Sequence, residues 1–222
     1  LAVTFIDAGN IGGGGFMTIK MGDEVAFLDY REKAPSGAHK DMYLDAEGNV
    51  IADITLIGAQ AVGVPGTVAG FWEAHKKFGK LPWKVLINPA IKLASEGFIP
   101  APALVDSVHR LKGQFVGKTN FNSYFSSMKV GRLFKQPELA KTLGRIAESG
   151  ADDFYRGETA ALIVEEMLSS NGLITAEDLE SYKAVWREPV RSTWREYEVI
   201  SAPPPSSGGF AIVQLLKMKD YL

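Results

Sequence analysis

Gly12-Gly13-Gly14-Gly15-Phe16-Met17-Thr18-Ile19-Lys20-Met21-Gly22-Asp23-Glu24-Val25-Ala26-Phe27-Leu28 carries the pattern from which the fold is read. Phe16 to Met21 and Val25 to Leu28 are strand-like runs, and Gly22-Asp23 between them is a turn pair, so the stretch reads as a β-hairpin. Ala2 to Ile6, just upstream, reads as a further apolar strand. The glycine run invites a phosphate-cradle reading. A P-loop, however, needs a lysine and a hydroxyl after the glycines, and Phe16-Met17 stand there instead. A dinucleotide fingerprint fails too, because no glycine lies three residues beyond Gly14 and no helix begins there. With Ile11 before the run and Phe16-Met17 after it, a packed segment closely approached by another backbone or a substrate is preferred to a flexible linker.

Downstream the period changes. Arg31 to Leu56 is polar, with Pro35, Gly37 and Gly48-Asn49, and reads as loop with weak strand character. Val68, Phe71, Trp72, His75 and Phe78 recur at helical spacing, so a helix is expected over Thr67 to Phe78, N-capped by Thr67 and ended by Gly79. A second helix is expected from about Pro82 to Glu96, with a break or kink at Pro89, and a short third over Leu104 to Leu111. Gly113 to Lys135 reads as a long connection without a domain boundary. Pro137 to Ser149 and Glu158 to Ser169 are amphipathic helices stopped by Gly150 and Asn171-Gly172. Thr175-Ala-Glu-Asp178 has the form of a capping box. Arg191 to Ser201 is expected as one strand, and the prolines 203 to 205 lead into a last helix from about Phe210. Strands, then helices, then strand and helix indicate a mixed α/β or α+β domain.

Composition bounds the function. The 222 residues are 46% apolar and 23% charged, with 24 basic and 26 acidic side chains, a net charge of -2 and no cysteine. This is a globular composition with no basic stripe, which argues against a nucleic-acid partner. Absence of cysteine removes disulfides, thiolate nucleophiles and cysteine metal sites, but it does not identify a compartment. The uncharged stretch Leu56 to Trp72 is short and interrupted by Pro65 and four glycines, so no membrane span is expected. No signal peptide is visible, and both ends of the chain read as truncated.

Few residues suggest chemistry by themselves. His39, His75 and His109 lack metal-ligand spacing, and His75, on an apolar stripe, reads as a packed residue. Asp152-Asp153 and Glu165-Glu166 are neighbours that diverge around a helix, and they read as solvated acids or partners of a helix dipole. Ser206-Ser207-Gly208-Gly209 could form an oxyanion nest, but an N-cap after a proline turn is the better reading, and the Gly-x-Ser-x-Gly elbow is missing. Arg31, at a strand end, could grip a carboxylate with two parallel hydrogen bonds. On the residues alone a surface ion pair with Asp29 or Glu32 outweighs that reading.

Several blocks occurring in one order change this balance. Ala8-Gly9-Asn10-Ile11-Gly12-Gly13-Gly14-Gly15-Phe16-Met17, Asp29-Tyr30-Arg31-Glu32-Lys33-Ala34-Pro35 and Gly63-Val64-Pro65-Gly66-Thr67-Val68-Ala69-Gly70 resemble the gamma-glutamyltransferase family. So do Leu93 to Phe98, Asp153 to Gly157, Gly172 to Leu179 and Pro203 to Gly209, and together they cover nearly the whole chain. Two departures are local: Phe5-Ile6-Asp7 where relatives commonly have a proline, and Gly131-Arg132 where Gly-Asp is usual.

The resemblance implies an N-terminal nucleophile hydrolase, a four-layer αββα sandwich cut from a precursor into a large and a small subunit. Residues 1–222 would be a single-domain fragment of the large subunit, incomplete without the small one. The nucleophile would be a threonine opening the small subunit, so no catalytic residue is expected in this chain. One site residue carries over: Arg31, which would bind the α-carboxylate of the γ-glutamyl donor. The implied activity is cleavage of the γ-glutamyl amide of glutathione and related compounds, with transfer to amino acids, peptides or water. No metal or organic cofactor is implied, and a periplasmic or extracellular location follows from the resemblance alone. The alternatives are a divergent acylase, of the cephalosporin-acylase or poly-γ-glutamate-processing kind, and a non-catalytic fragment.

Overall fold

A computed structural model of the chain describes residues 1–6 and 10–219. Ala8-Gly9 of the glycine block and Asp7 of the first departure lie outside the described residues. The hairpin is present: β1 (Phe16–Met21) pairs antiparallel with β2 (Glu24–Asp29) around Gly22, whose φ of 62° suits glycine. A third strand, β3 (Val185–Arg187), adds to the other side of β2 in register Phe27 with Arg187 and Leu28 with Trp186. As the middle strand, β2 is buried from Ala26 through Asp29, consecutive residues on alternating faces, which means both faces are covered. Three residues are too few to show a period, so β3 was invisible in the sequence.

Most of the longer helices follow the sequence pattern, and a short one adds a turn within the connection from 113 to 135. They are α1 (Thr67–Phe78), α2 (Trp83–Glu96), α3 (Pro102–Leu111), the short α4 (Phe121–Phe125), α5 (Pro137–Ser149), α6 (Ala151–Arg156), α7 (Glu158–Ser169) and α8 (Ala176–Ser181). The largest core cluster gathers Val64, Val68, Ile146, Phe154, Tyr155, Ile174, Leu179 and Tyr182, which joins α1, α5, α6 and α8. A second cluster places Val3 against Ala94 and Leu143, and a third joins Val105, Val108, Met128 and Phe134. Through Met128 and Phe134 the connection from 113 to 135 is tied into the core.

Several expectations are corrected. Ala2 to Ile6 is no strand: the Phe5 amide turns back to the Leu1 carbonyl at 2.8 Å, and Val3 is buried against α2 and α5. Thr67 does not cap α1; Gly66 does, because the Gly13 carbonyl accepts both the Gly66 and Thr67 amides, at 2.8 and 3.0 Å. Pro89 does not break α2, which runs unbroken with its inner face packed along α5; the bond it forgoes is to Val85, a half-exposed residue. Helix α6 was missed because six residues between Gly150 and Gly157 are too few for a helical period. Arg191 to Ser201 is two strands, β4 (Val190–Trp194) and β5 (Tyr197–Ser201), turning at Arg195 with φ 54°. The Arg195-Glu196 turn has neither glycine nor asparagine, so the hairpin signal was absent. The last helix, α9 (Gly208–Lys219), packs on this hairpin and starts two residues before Phe210. No helix among the described residues is long and apolar enough to cross a membrane.

The capping box is as the sequence indicates. Thr175 Oγ1 accepts the Asp178 amide at 3.2 Å, and Asp178 Oδ2 accepts the Thr175 amide at 3.0 Å. The other carboxylate oxygen accepts the Ser36 amide at 2.8 Å, which ties α8 to the loop after β2. Desolvation pushes the Asp178 carboxyl up, but the hydrogen bonds from Ser36 and Thr175 outweigh it and hold the group below the usual carboxylate range. A carboxyl with a depressed folded pKa adds stability that is complete above its unfolded value, near 4, and fades as pH falls from there toward the folded one. Denaturant unfolding of the full-length protein should therefore give Thr175→Ala a loss of about 1 kcal/mol at pH 7. Asp178→Asn should cost more at pH 7 than at pH 3; an equal cost at both would show that the carboxylate charge contributes nothing.

Candidate substrate-binding site

Arg31 leaves β2 two residues after its last paired residue, and the loop around it is held by backbone contacts. Gly15 and Tyr30 exchange hydrogen bonds, amide to carbonyl at 2.9 and 3.2 Å, and Lys33 and Val64 do the same at 3.2 and 2.7 Å. The glycine run explains itself here. A Cβ on Gly14 would stand 2.5 Å from the Tyr30 carbonyl oxygen, 2.7 Å from the Glu32 nitrogen and 2.9 Å from the Arg31 carbonyl carbon. Only a residue without a side chain allows that approach. The close-packing expectation therefore holds, and the approaching backbone is that of Tyr30 to Glu32.

The second glycine block closes on the same loop. A Cβ on Gly66 would fall 2.0 Å from the Tyr30 carbonyl oxygen and 2.1 Å from the Tyr182 hydroxyl; one on Gly70 would fall 2.3 Å from the Tyr30 ring. The Arg31 backbone is bonded on both sides. Its amide donates to Asp29 Oδ1 at 3.0 Å, and its carbonyl accepts from the Tyr182 hydroxyl at 2.8 Å. Asp29 is buried, and its other oxygen accepts Arg187 Nε at 2.8 Å, so β3 helps to fix the turn. Burial raises the Tyr182 phenol, as do the negative charges of Asp29 and Glu32, and burial also raises Tyr30; both hydroxyls stay protonated at neutral pH.

The side chain of Arg31 contrasts with its backbone. The side chain is 54% exposed, with Cζ 5.9 Å from the Phe16 ring centre and Nη1 3.3 Å from Glu32 Oε2. That contact lacks hydrogen-bond geometry, and the Glu32 oxygen is buried without a hydrogen bond. On the arginine side the contact is half exposed, so solvent screens it and the guanidinium N–H groups that Glu32 does not engage face water. Those donors can therefore turn to an incoming carboxylate at small cost, while the main chain that carries them stays fixed. The ion pair with Glu32 foreseen from the residues exists, and it does not conflict with a carboxylate-binding role.

Other candidates lie elsewhere. His75 Nε2 is 2.8 Å from the Leu81 carbonyl and the ring packs against both Trp72 and Trp83, as a packed residue should. His109 Nε2 is 3.2 Å from the Met128 carbonyl. Asp152 pairs with Arg156 at 3.2 Å on the surface, but Asp153 is buried, takes the Thr159 hydroxyl and faces Arg145 at 3.5 Å. Both acids lie in the first turn of α6, the helix-dipole placement that the sequence allows, and only the solvated alternative is corrected, for Asp153, which secures the turn from α6 to α7. Glu165 is exposed, and Glu166 meets Ser170 and Asn120. Ser206 Oγ accepts the Gly208 amide at 3.2 Å, a local bond at the start of α9. The contacts of Tyr182, Asp29 and Gly13 had no signal in the sequence.

The matching family model is described as Gamma-glutamyltranspeptidase and covers residues 1–222. The chain is 55% identical over 220 residues to the glutathione hydrolase proenzyme of Pseudomonas aeruginosa, covering 99% of this chain and 40% of that protein. With that of Escherichia coli the identity is 46%, over 99% of this chain and 39% of the relative. The chain thus spans about 40% of the length of these curated relatives. The gamma-glutamyltranspeptidase of Pseudomonas nitroreducens, solved in complex with L-DON, matches with a TM-score of 0.95 at 54% identity, over 99% of this chain and 65% of that one. A match along every residue, and a solved backbone that follows the same course, mean that this chain belongs to the gamma-glutamyltranspeptidase family.

Proposed function

We propose that the protein to which this chain belongs cleaves γ-glutamyl amides such as glutathione and transfers the γ-glutamyl group to water, amino acids or peptides. The observation that supports this most is the Arg31 turn: a main chain bonded on both sides that presents a half-exposed guanidinium. Arg31 would receive the α-carboxylate of the donor and hold the γ-amide in place, a contribution to binding and alignment more than to bond making. The nucleophile, by family resemblance, is a threonine hydroxyl at the start of the small subunit, with its own amine as base. Attack on the γ-carbonyl, with the hydroxyl proton passed by the amine base to the leaving amine, would leave a γ-glutamyl ester on the threonine; water or an amine would then attack that ester, taking the γ-glutamyl group and freeing the threonine hydroxyl. Product release from a γ-glutamyl chromogenic amide by the full-length, self-processed protein tests the reading; no turnover from a correctly cut precursor would reject it.

The partner in this reading is the small subunit. Surface area supports it: a folded monomer of 24.1 kDa exposes about 10,000 Å² by the usual scaling, and this chain exposes 13505 Å². Val85 and Leu86 on α2 and Phe210, Leu215 and Met218 on α9 are about half exposed or more. The isolated chain is expected to self-associate, and the full-length product to yield a second polypeptide that co-purifies with it. A monodisperse isolated chain that unfolds cooperatively would overturn this. A periplasmic or extracellular location, supported by the family resemblance, is part of the same proposal and is checked by cell fractionation.

A further inference from the structure

We propose that Tyr182, 151 positions away from Arg31 in the chain, is a positioning residue for donor binding: its hydroxyl anchors the Arg31 carbonyl and so aims the guanidinium. The inference rests on the reading of Arg31 as the carboxylate-binding residue. Tyr182 follows α8 and is only 7% exposed, and its hydroxyl donates to the Arg31 carbonyl oxygen at 2.8 Å. The ring is held independently of that bond. It stacks on Tyr155 with centroids 5.6 Å apart and planes 10° apart, and the Lys33 ammonium lies 4.9 Å from its centre. Gly66 leaves the space the hydroxyl occupies, since a Cβ there would stand 2.1 Å from it.

The two hydrogen bonds to the Arg31 main chain differ in kind. Asp29 Oδ1 takes the Arg31 amide from two residues away, a local bond that any copy of this turn can form. Tyr182 instead ties the turn to α8, which is itself capped by Thr175 and whose Asp178 also holds Ser36. Without the hydroxyl the peptide after Arg31 could rotate while the fold stayed whole. The guanidinium would then sample more orientations, and a bidentate contact, which depends on direction, would weaken more than a simple charge contact. Burial, with the charges of Asp29 and Glu32, keeps the phenol protonated and able to donate.

The matched control is Tyr155. Its hydroxyl donates to the Pro65 carbonyl at 2.8 Å and accepts the Ala69 amide at 3.2 Å, so Tyr155→Phe removes a buried hydroxyl of the same kind with no bond to Arg31. KM, kcat and Tm are measured with a γ-glutamyl chromogenic amide on the full-length, self-processed protein and on Tyr182→Phe, Tyr155→Phe and Arg31→Ala. Tyr182→Phe is expected to raise KM about fivefold with kcat within twofold, the worth of one hydrogen bond. Tyr155→Phe should lower Tm at least as much and leave KM within twofold of the parent. In the Arg31→Ala background, adding Tyr182→Phe should change KM no further, because there is no guanidinium left to aim. A parental KM in Tyr182→Phe, an equal rise in Tyr155→Phe, or a further rise in the double variant would overturn the positioning role while Arg31 keeps its own. A parental KM in Arg31→Ala would overturn the carboxylate reading and this inference together.

Discussion

Arg31→Ala, in the full-length and correctly cut protein, is expected to raise KM for a γ-glutamyl amide by roughly 30- to 1000-fold, with a much smaller change in kcat. The figure follows from losing a bidentate charge-assisted contact, about 2–4 kcal/mol where one partner of a desolvated pair is removed. A loss confined to KM is expected because the guanidinium would touch the carboxylate, which is remote from the γ-carbonyl where bonds change. Arg31→Lys should fall between the two, keeping the charge and losing the fork. The variant should fold normally, since the side chain is 54% exposed and its contact with Glu32 lacks hydrogen-bond geometry. An unchanged KM would remove the α-carboxylate from the role assigned to this turn. A fall in kcat alone would place Arg31 in the chemical step instead.

Gly66→Ala is the substitution expected to cost most in stability. Its Cβ would sit 2.0 Å from the Tyr30 carbonyl oxygen and 2.1 Å from the Tyr182 hydroxyl, and the first of these is main chain that cannot swing aside. Gly66 also caps α1, and its amide is bonded to the Gly13 carbonyl at 2.8 Å, so the backbone cannot retreat without giving up that bond. A loss of about 3 kcal/mol or more is expected, at the upper end of what overpacking costs. The useful contrast is Gly144→Ala in the middle of α5, where a Cβ meets nothing within 4 Å. That change should stabilise by about 0.5–1 kcal/mol through helix propensity. Thermal unfolding of the two variants beside the parent decides the matter; a Tm for Gly66→Ala within a degree or two of the parent would mean that the loop after β2 yields easily.

Much of the architecture was legible because its signals are short-range. The boundaries of α5 and α7 follow from apolar spacing and from the glycines or Asn171-Gly172 beyond them, and the β1–β2 turn from Gly22-Asp23. Elements without such a signal were lost: β3 and α6 are too short to show a period, and the Arg195-Glu196 turn lacks the residues that usually mark a hairpin. Ala2 to Ile6 failed for a different reason. Among the described residues no strand pairs with it, and burying Val3 between α2 and α5 takes precedence over local propensity. The site was legible only in part. By itself Arg31 reads as a surface ion pair, and only the motif around it points to carboxylate binding; the pair with Glu32 is present in the structure.

The sequence by itself determined the hairpin, most of the helices and the family, because periodicity, turn chemistry and motif order are all properties of neighbouring residues. Only the tertiary structure decided what those residues do to one another. It placed the Gly13 carbonyl on the first turn of α1, the Arg187 side chain on Asp29 and the Tyr182 hydroxyl on Arg31, partners separated by 53 to 158 positions. Such pairings depend on where the ends of packed elements come to rest. A hydrogen bond forms only within a few tenths of an ångström of its proper length, and no local pattern specifies a position that finely at such a distance along the chain.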